Sequence, residues 1–289
     1  MMKNRDVLYH YTDFQALDGI LRNSELRLNN VLNMNDASEM RLFMRGLCDA
    51  VEDRFVREGK EEKARQVREL FRRELKREFH YSGYAACFSV YRDDASQWER
   101  YGNHGRGVCL GFDRKLLERI AVGAVSLKTV FYRDEDDIDE HELVEVFYQL
   151  MEPLEKIEEE DPSIREALNA AWVCSAAFKH PSFSAEREVR LVMSPFGKEY
   201  FDGKPQYHIA RERIKKYYPL NLTFMCMREG LVLEDLITEI IIGPESTQSR
   251  PILQDYLEDN KMGALAGKVS YSDCPLRRTG DRSGSLSDQ

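Results

Sequence analysis

The chain has 289 residues, 42% of them hydrophobic and 32% charged, which suits a globular protein with a real core and excludes a disordered or fibrous one. The net charge of −9 argues against nonspecific duplex binding, which depends on a cationic surface. No run approaches the roughly 18 apolar residues of a membrane span, and Met1–Asp6 leads into a strand-like run instead of a signal-peptide core, so a cytoplasmic location away from membranes is expected.

Val7-Leu8-Tyr9-His10-Tyr11 reads as a strand, with Tyr9 and Tyr11 on one face and His10 on the other. Thr12 then reads as a helix cap with Gln15 at capping-box spacing, and Phe14, Leu17, Ile20 and Leu21 share a helical face. Glu25–Leu28 alternates like a strand. The polar stretch Asn33–Glu39 suits a loop, with Asp36 or Ser38 capping a helix to about Val56. A second helix is expected from Lys60 to Phe79, with Glu61–Arg65 and Glu69–Arg73 in the favourable order. Nine basic residues between Arg57 and Arg77 are interleaved with acids, a pattern that favours a solvated, ion-paired helix over a nucleic-acid face.

Tyr84–Val90 reads as a buried strand, followed by a short helix around Trp98, a glycine-rich loop to Gly107 and a strand over Val108–Phe112. Asp113 suits the cap of a helix to Ala121, and Ala124–Tyr132 is strand-like. Asp134–Glu142 carries seven carboxylates in nine positions and reads as a solvated loop. Glu142–Lys179 reads as two helices divided at Asp161-Pro162, a cap followed by proline in the first turn. Strands are expected over Glu188–Met193 and Glu239–Ile242, a helix over Ser246–Asn260 and a last strand over Lys268–Tyr271. One elaborated domain is expected over 1–276, with helical insertions at about 38–80 and 140–179, and a disordered tail over 277–289.

The six cysteines, Cys48, Cys87, Cys109, Cys174, Cys226 and Cys274, form no C-x-x-C pair and read as buried, reduced residues. The histidines show no metal-ligand spacing, so no metal site is expected.

Four polar clusters carry candidate chemistry. His10 at a strand end can bond a ligand hydroxyl and Tyr11 can stack on a flat ring, or all three residues simply pack. Asn35-Asp36-x-x-Glu39 offers a ligand contact or a helix cap. Ser96–Gly107 brings Trp98, Tyr101, His104, Arg106 and three glycines together, so that backbone amides can approach a ligand and Trp98 or Tyr101 can stack on a base; a tight loop around a packed tryptophan accounts for it equally well. A strand follows those glycines, so the loop is neither a Rossmann turn nor a P-loop. If a strand begins near Glu186, then Glu186, Glu188 and Arg190 share a face; the alternative is an exposed ion-pair ladder.

In order, Leu8-Tyr9-His10-Tyr11, Asn35-Asp36-x-x-Glu39, Cys87-Phe88-Ser89, Trp98-x-x-Tyr101 with Gly107–Phe112, Lys179-His180-Pro181-x-Phe183-x-x-Glu186-x-Glu188-x-Arg190, and Ile240–Pro244 form a series over residues 7–245. The series resembles a bacterial family known as domain of unknown function 2971, which in turn is similar to the ADP-ribosyltransferase superfamily. That resemblance implies an α+β fold with a split, twisted, mostly antiparallel sheet and helical insertions. It implies NAD as co-substrate, cleavage of the nicotinamide–ribose bond, and transfer of ADP-ribose to an unknown acceptor, protein or nucleic acid. Residue by residue it implies catalytic roles for Glu188 and Glu186, and places His10, Tyr11, Ser89, Trp98, Tyr101 and Arg190 around the nucleotide. The Ser-Thr-Ser triplet of that superfamily is absent, since Val90 follows Ser89. The alternatives are a noncatalytic nucleotide- or partner-binding module of the same fold and an NAD hydrolase with water as acceptor.

Overall fold

The computed structural model describes residues 6–31, 39–76, 83–121, 123, 125–133, 138, 141–193, 204–210 and 213–276. In chain order the strands are β1 (Val7–Thr12), β2 (Glu25–Asn30), β3 (Tyr84–Ser89), β4 (Val108–Asp113), β5 (Val125–Thr129), β6 (Phe131–Tyr132), β7 (Phe178–Lys179), β8 (Glu188–Met193), β9 (Gln206–Ala210), β10 (Arg213–Asn221), β11 (Ile237–Ile242) and β12 (Val269–Tyr271). The helices are α1 (Phe14–Arg22), α2 (Glu39–Arg57), α3 (Glu61–Lys76), α4 (Ala95–Arg100), α5 (Arg114–Ile120), α6 (Glu142–Met151), α7 (Pro162–Ser175), α8 (Leu222–Arg228), α9 (Leu233–Leu236), α10 (Arg250–Asp259) and α11 (Gly263–Ala266). The chain is therefore mixed α+β, and its strand pairings are mostly antiparallel. The chain divides into two compact units, each assembled from separated segments: 1–26, 88–120 and 221–289 form the first, 27–87 and 121–220 the second.

In the first unit β4 is the central strand. It pairs antiparallel with β1, Tyr9 opposite Gly111, and with β11, Ile241 opposite Cys109. β12 adds parallel to β11, and the end of β3 joins β1 through Tyr9 opposite Ser89. β11 and β4 are apolar on both faces because both faces are covered; Ile240, Ile241, Ile242, Val108 and Leu110 are fully buried. The cap of α1 is Asp13, not Thr12: the Asp13 carboxylate accepts from the Ala16 amide at 2.7 Å, while Thr12 is the last residue of β1. A carboxylate one position later serves the first turn as well as a hydroxyl and adds favourable charge at the helix start.

In the second unit α2, α3, α6 and α7 pack together, so the two helical stretches foreseen as insertions share one core of Phe43, Phe55, Phe71, Phe147, Leu168 and Trp172. Asp161 caps α7 as expected, accepting from the Ser163 and Ile164 amides with Pro162 in the first turn. On the outer face of α3 the basic residues are ion-paired: Arg72 and Arg73 to Glu69, and Arg68 to Glu52 of α2. Arg65 pairs with Glu62 one turn back and not with Glu61. The strands of this unit are β5 against β8, β2 against β3, and the hairpin β9–β10, with β8 also paired to β3. β9 and β10 had no strand assignment from sequence; their mixed polar and apolar order hides the alternation. The tail at 277–289 lies outside the described residues, as do Asn35, Asp36 and most of the acidic stretch 134–142.

Candidate functional site

In the second unit, four charged side chains meet in a buried cluster. Lys179 ends β7 and is held 2.5 Å from Glu186 and 3.5 Å from Glu188. The guanidinium of Arg190 donates to Glu188 Oε2 through Nη2 at 2.6 Å and Nε at 3.1 Å, and through Nη1 to the Ala176 carbonyl at 2.9 Å. Burial raises the Glu188 pKa, but the charges of Arg190 and Lys179 outweigh it, so the carboxyl sits below its ordinary value and stays ionised. Among the described residues, two acids and two bases make the cluster formally neutral, which is the condition for burying charge at tolerable cost. The Glu188 amide donates to the Tyr132 hydroxyl at 2.8 Å, and burial pushes that phenol up to about 12, so it stays protonated at neutral pH.

Local chain geometry differs from the simple strand expected at Glu186. Pro181–Glu186 forms a 3-10 turn whose start is capped by His180, and Arg187 then adopts a left-handed conformation with φ 45°. β8 begins only at Glu188. Glu186 therefore does not share a strand face with Glu188 and Arg190; it arrives from the turn and meets the pair through Lys179. The expectation of an exposed ladder fails as well, since Glu186, Glu188, Lys179 and Arg190 are all buried. A non-glycine residue in the left-handed region between two buried carboxylates is costly, and such strain concentrates at functional sites.

This cluster borders a polar sheet face. Asn29 lies opposite Ala85 across β2 and β3, so Arg27, Asn29, Ala85 and Cys87 point to one side. The Cys87 thiol hydrogen-bonds the Glu188 carboxylate, which places the cluster on that same side. Farther along, the Arg27 guanidinium lies 4.8 Å over the Tyr217 ring, and Tyr217 packs edge-on against His208. Arg27, Asn29 and Cys87 are half-buried, while Ala85 on the same side is fully buried in the helical core and Leu26, Leu28 and Asn30 on the opposite face are buried. The Asn29 side-chain oxygen is buried and has no hydrogen-bond partner, an unusual state for a buried acceptor. None of Arg27, Asn29, Lys179 or Tyr132 was singled out from sequence as a binding residue. Strand alternation could have flagged Arg27 and Asn29, but it gave no sign of what their side would face.

The first unit gathers a different set. Tyr9, Tyr11, Trp98, Cys109 and Ile241 form one buried cluster, with Tyr101 against it. Tyr11 meets the Trp98 ring edge-on at 4.9 Å, and its hydroxyl bridges the loop after β3, donating to the Tyr91 carbonyl and accepting from the Asp94 amide, both at 2.9 Å. Trp98 is completely buried, and its indole N–H donates to Asp93 at 2.6 Å. Ser89 is buried and its hydroxyl accepts from the Tyr91 amide. His10, on the opposite side of β1, is half-buried against Phe88 at 5.6 Å. Tyr11, Trp98 and Tyr101 are thus brought together with Ser89 nearby through the Tyr91 loop, but around protein partners.

The glycine loop has a packing reason. A Cβ on Gly107 would stand 2.1 Å from the Thr12 carbonyl, and one on Gly243 would stand 2.3 Å from the Gly105 carbonyl. The Gly243 and Glu245 amides donate to the Gly107 and Gly105 carbonyls. Backbone meets backbone there, in the place where a ligand approaching the amides was one expectation.

Metal chemistry finds little support among the described residues. Cys48, Asp49 and Glu52 of α2 place ligand atoms within 4.8 Å of one another, yet Arg68 grips Glu52 and burial pushes the Cys48 thiol up to about 12. None of the six cysteines forms a disulfide. No helix among the described residues is long and apolar enough to cross a membrane.

Residues 97–191 match the model of a family described as protein of unknown function (DUF2971). The match takes in Trp98, Tyr101, Lys179, Glu186, Glu188 and Arg190, and leaves out His10, Tyr11 and Ser89. It covers a shorter stretch than the motif series over 7–245. No curated protein and no solved structure matches the chain.

Proposed function

We propose that this chain is an ADP-ribosyltransferase-like enzyme that cleaves the nicotinamide–ribose bond of NAD and passes ADP-ribose to a protein or nucleic-acid acceptor. The observation that carries the proposal is Glu188: a buried carboxylate, kept anionic by Arg190 and Lys179, on the side of the sheet that holds the half-buried Arg27, Asn29 and Cys87. Bond cleavage develops positive charge on the ribose, as in glycoside hydrolysis, while the nicotinamide leaves as a neutral molecule. A fixed carboxylate beside that sugar stabilises the transition state without reorganising, and such preorganised charge is commonly the largest catalytic contribution. In this reading Glu188 accepts a ribose hydroxyl and faces the developing cation, Arg190 and Lys179 hold it in place, and Glu186 acts on the acceptor. The unpartnered Asn29 oxygen and the nearby Arg27 suit the hydroxyls and phosphates of a nucleotide.

A specific observation favours a second reading, a noncatalytic nucleotide- or partner-binding module: Glu188 is already engaged by Arg190, and Trp98 has no free face on which a base can stack. One experiment separates the two. Purified protein is incubated with NAD and a panel of acceptors, and released nicotinamide is quantified beside Glu188→Gln and Glu186→Gln, each checked for folding by circular dichroism. The enzyme reading expects release that falls by about a hundredfold or more in folded Glu188→Gln. Release with water alone would point to an NAD hydrolase. A rise in melting temperature with NAD but no nicotinamide would establish the binding module.

A further inference from the structure

The hairpin β9–β10 presents a surface that the proposed chemistry does not use. Ile209 and Ile214 lie directly opposite each other in the register and are 80% and 69% exposed; Tyr207, on the same face, is 63% exposed. Tyr218, also on that side of β10, is buried edge-on against Tyr84, and Lys216, opposite Tyr207, lies between it and Ile214. The other face carries His208, Arg213 and Lys215. Among the described residues from 204 to 221 there are four cations, Lys204, Arg213, Lys215 and Lys216, and no carboxylate, in a chain whose net charge is −9. β9 is the last strand on its side, with no further strand beside it among the described residues. Its outward backbone groups are a template for one more strand.

We propose that the free edge of β9 docks an extended segment of a partner protein in which apolar residues alternate with carboxylates. The two-residue period of a strand decides the pattern. An added strand would place every second side chain beside Tyr207 and Ile209, and the residues between them on the side of His208, where Arg213 and Lys215 lie within about a Debye length. Main-chain hydrogen bonds supply affinity and the alternating side chains supply specificity, as in other strand-addition complexes. Pairing with β9 of a second copy is disfavoured, because it would bring two cationic hairpins together. A nucleic acid would satisfy the cations but leave the Ile209–Ile214 pair facing backbone phosphate.

The test uses the full chain and a fluorescent eight-residue peptide of alternating valine and glutamate. Three controls accompany it: the same peptide with lysine for glutamate, versions N-methylated on all valines or on all glutamates, and a single-stranded oligonucleotide. Binding is read by anisotropy and the mass of the protein by sedimentation. The expected result is saturable binding of the acidic peptide. The lysine peptide should bind at least about tenfold more weakly, and one of the two N-methylated versions should lose binding, since only one set of amides faces the edge. Arg213→Glu/Lys215→Glu, on the cationic face, and Ile209→Ser, on the apolar one, should each weaken binding about tenfold while leaving the melting temperature within a few degrees. Binding indifferent to N-methylation or to these variants overturns the proposal. So does tight binding of the oligonucleotide with none of the peptide, or a dimer that Ile209→Ser abolishes.

Discussion

The Arg190 guanidinium lies 2.6 Å from the Glu188 carboxylate two residues earlier on the same strand, and Lys179 bridges that carboxylate to Glu186. Removing one partner leaves an uncompensated charge in a buried site, so Glu188→Gln or Arg190→Met alone should cost about 3–5 kcal/mol. The double substitution leaves the Lys179–Glu186 pair balanced and should recover much of that loss. Urea unfolding of the four proteins measures it. A double variant no more stable than the weaker single one would show that the pair does not act as a unit.

The same carboxylate sets an acid limit on stability. Glu188 has a folded pKa below its unfolded value, so its contribution is fully present above the ordinary glutamate pKa of about 4.3 and is lost as pH falls through the lower folded value. Wild-type stability should therefore drop on acidification below about pH 4.5, with the slope carried by groups that bind more protons when unfolded. Glu188→Gln should be less stable at pH 7 and show a shallower decline between pH 5 and pH 3. Unfolding midpoints at half-unit steps of pH across that range check the difference; parallel curves would show that Glu188 contributes nothing to it.

Much of the fold was readable because its elements obey local rules. The helices α2 and α3, the Asp161-Pro162 start of α7 and the apolar run of β11 all appear close to where the polar loop, the charge order, the cap and the run of isoleucines put them. The site was less readable because its geometry depends on the fold around it. Glu186 and Glu188 look like alternating strand residues, and only the left-handed Arg187 turns the chain so that they meet through Lys179. Asn29 is an ordinary polar strand residue until its neighbour strand fixes which side it faces. Trp98 could stack on a ligand or pack in a core, and composition cannot choose; its complete burial decides for packing.

Asp93 is the hub of the aromatic cluster in the first unit. In a left-handed conformation, φ 58°, it accepts from the Trp98 indole at 2.6 Å, from the Ser272 hydroxyl and from the Asp273 amide at 2.6 Å. Asp93→Ala leaves the buried indole N–H without a partner, at about 1–3 kcal/mol, and puts a Cβ-bearing residue with no polar side chain into a backbone region that disfavours it. Asp93→Asn keeps one acceptor oxygen and tolerates that backbone, so it should lose clearly less. Thermal unfolding ranks the variants, and near-ultraviolet circular dichroism reports whether Trp98 keeps its setting. Equal losses in both would remove the hydrogen-bond explanation.

Gly107 is required by space, and the sign of a substitution tests that. Its Cβ would lie 2.1 Å from the Thr12 carbonyl and 2.9 Å from the Gly102 carbonyl, and both obstacles are backbone, which cannot swing aside as a side chain would. The Gly107 carbonyl also accepts from the Gly243 amide at 3.0 Å, so pushing the loop outward strains a second contact. Gly107→Ala should therefore destabilise by about 3 kcal/mol through overpacking. Gly19 in α1 makes the opposite case: it is helical, and an added Cβ meets nothing within 4 Å. Gly19→Ala should stabilise by about 0.5–1 kcal/mol, because alanine loses less backbone freedom on entering a helix. Urea unfolding of both variants decides the matter: a Gly107→Ala protein as stable as wild type would mean that the loop gives way, and would reopen the reading in which those glycines let a ligand approach the backbone.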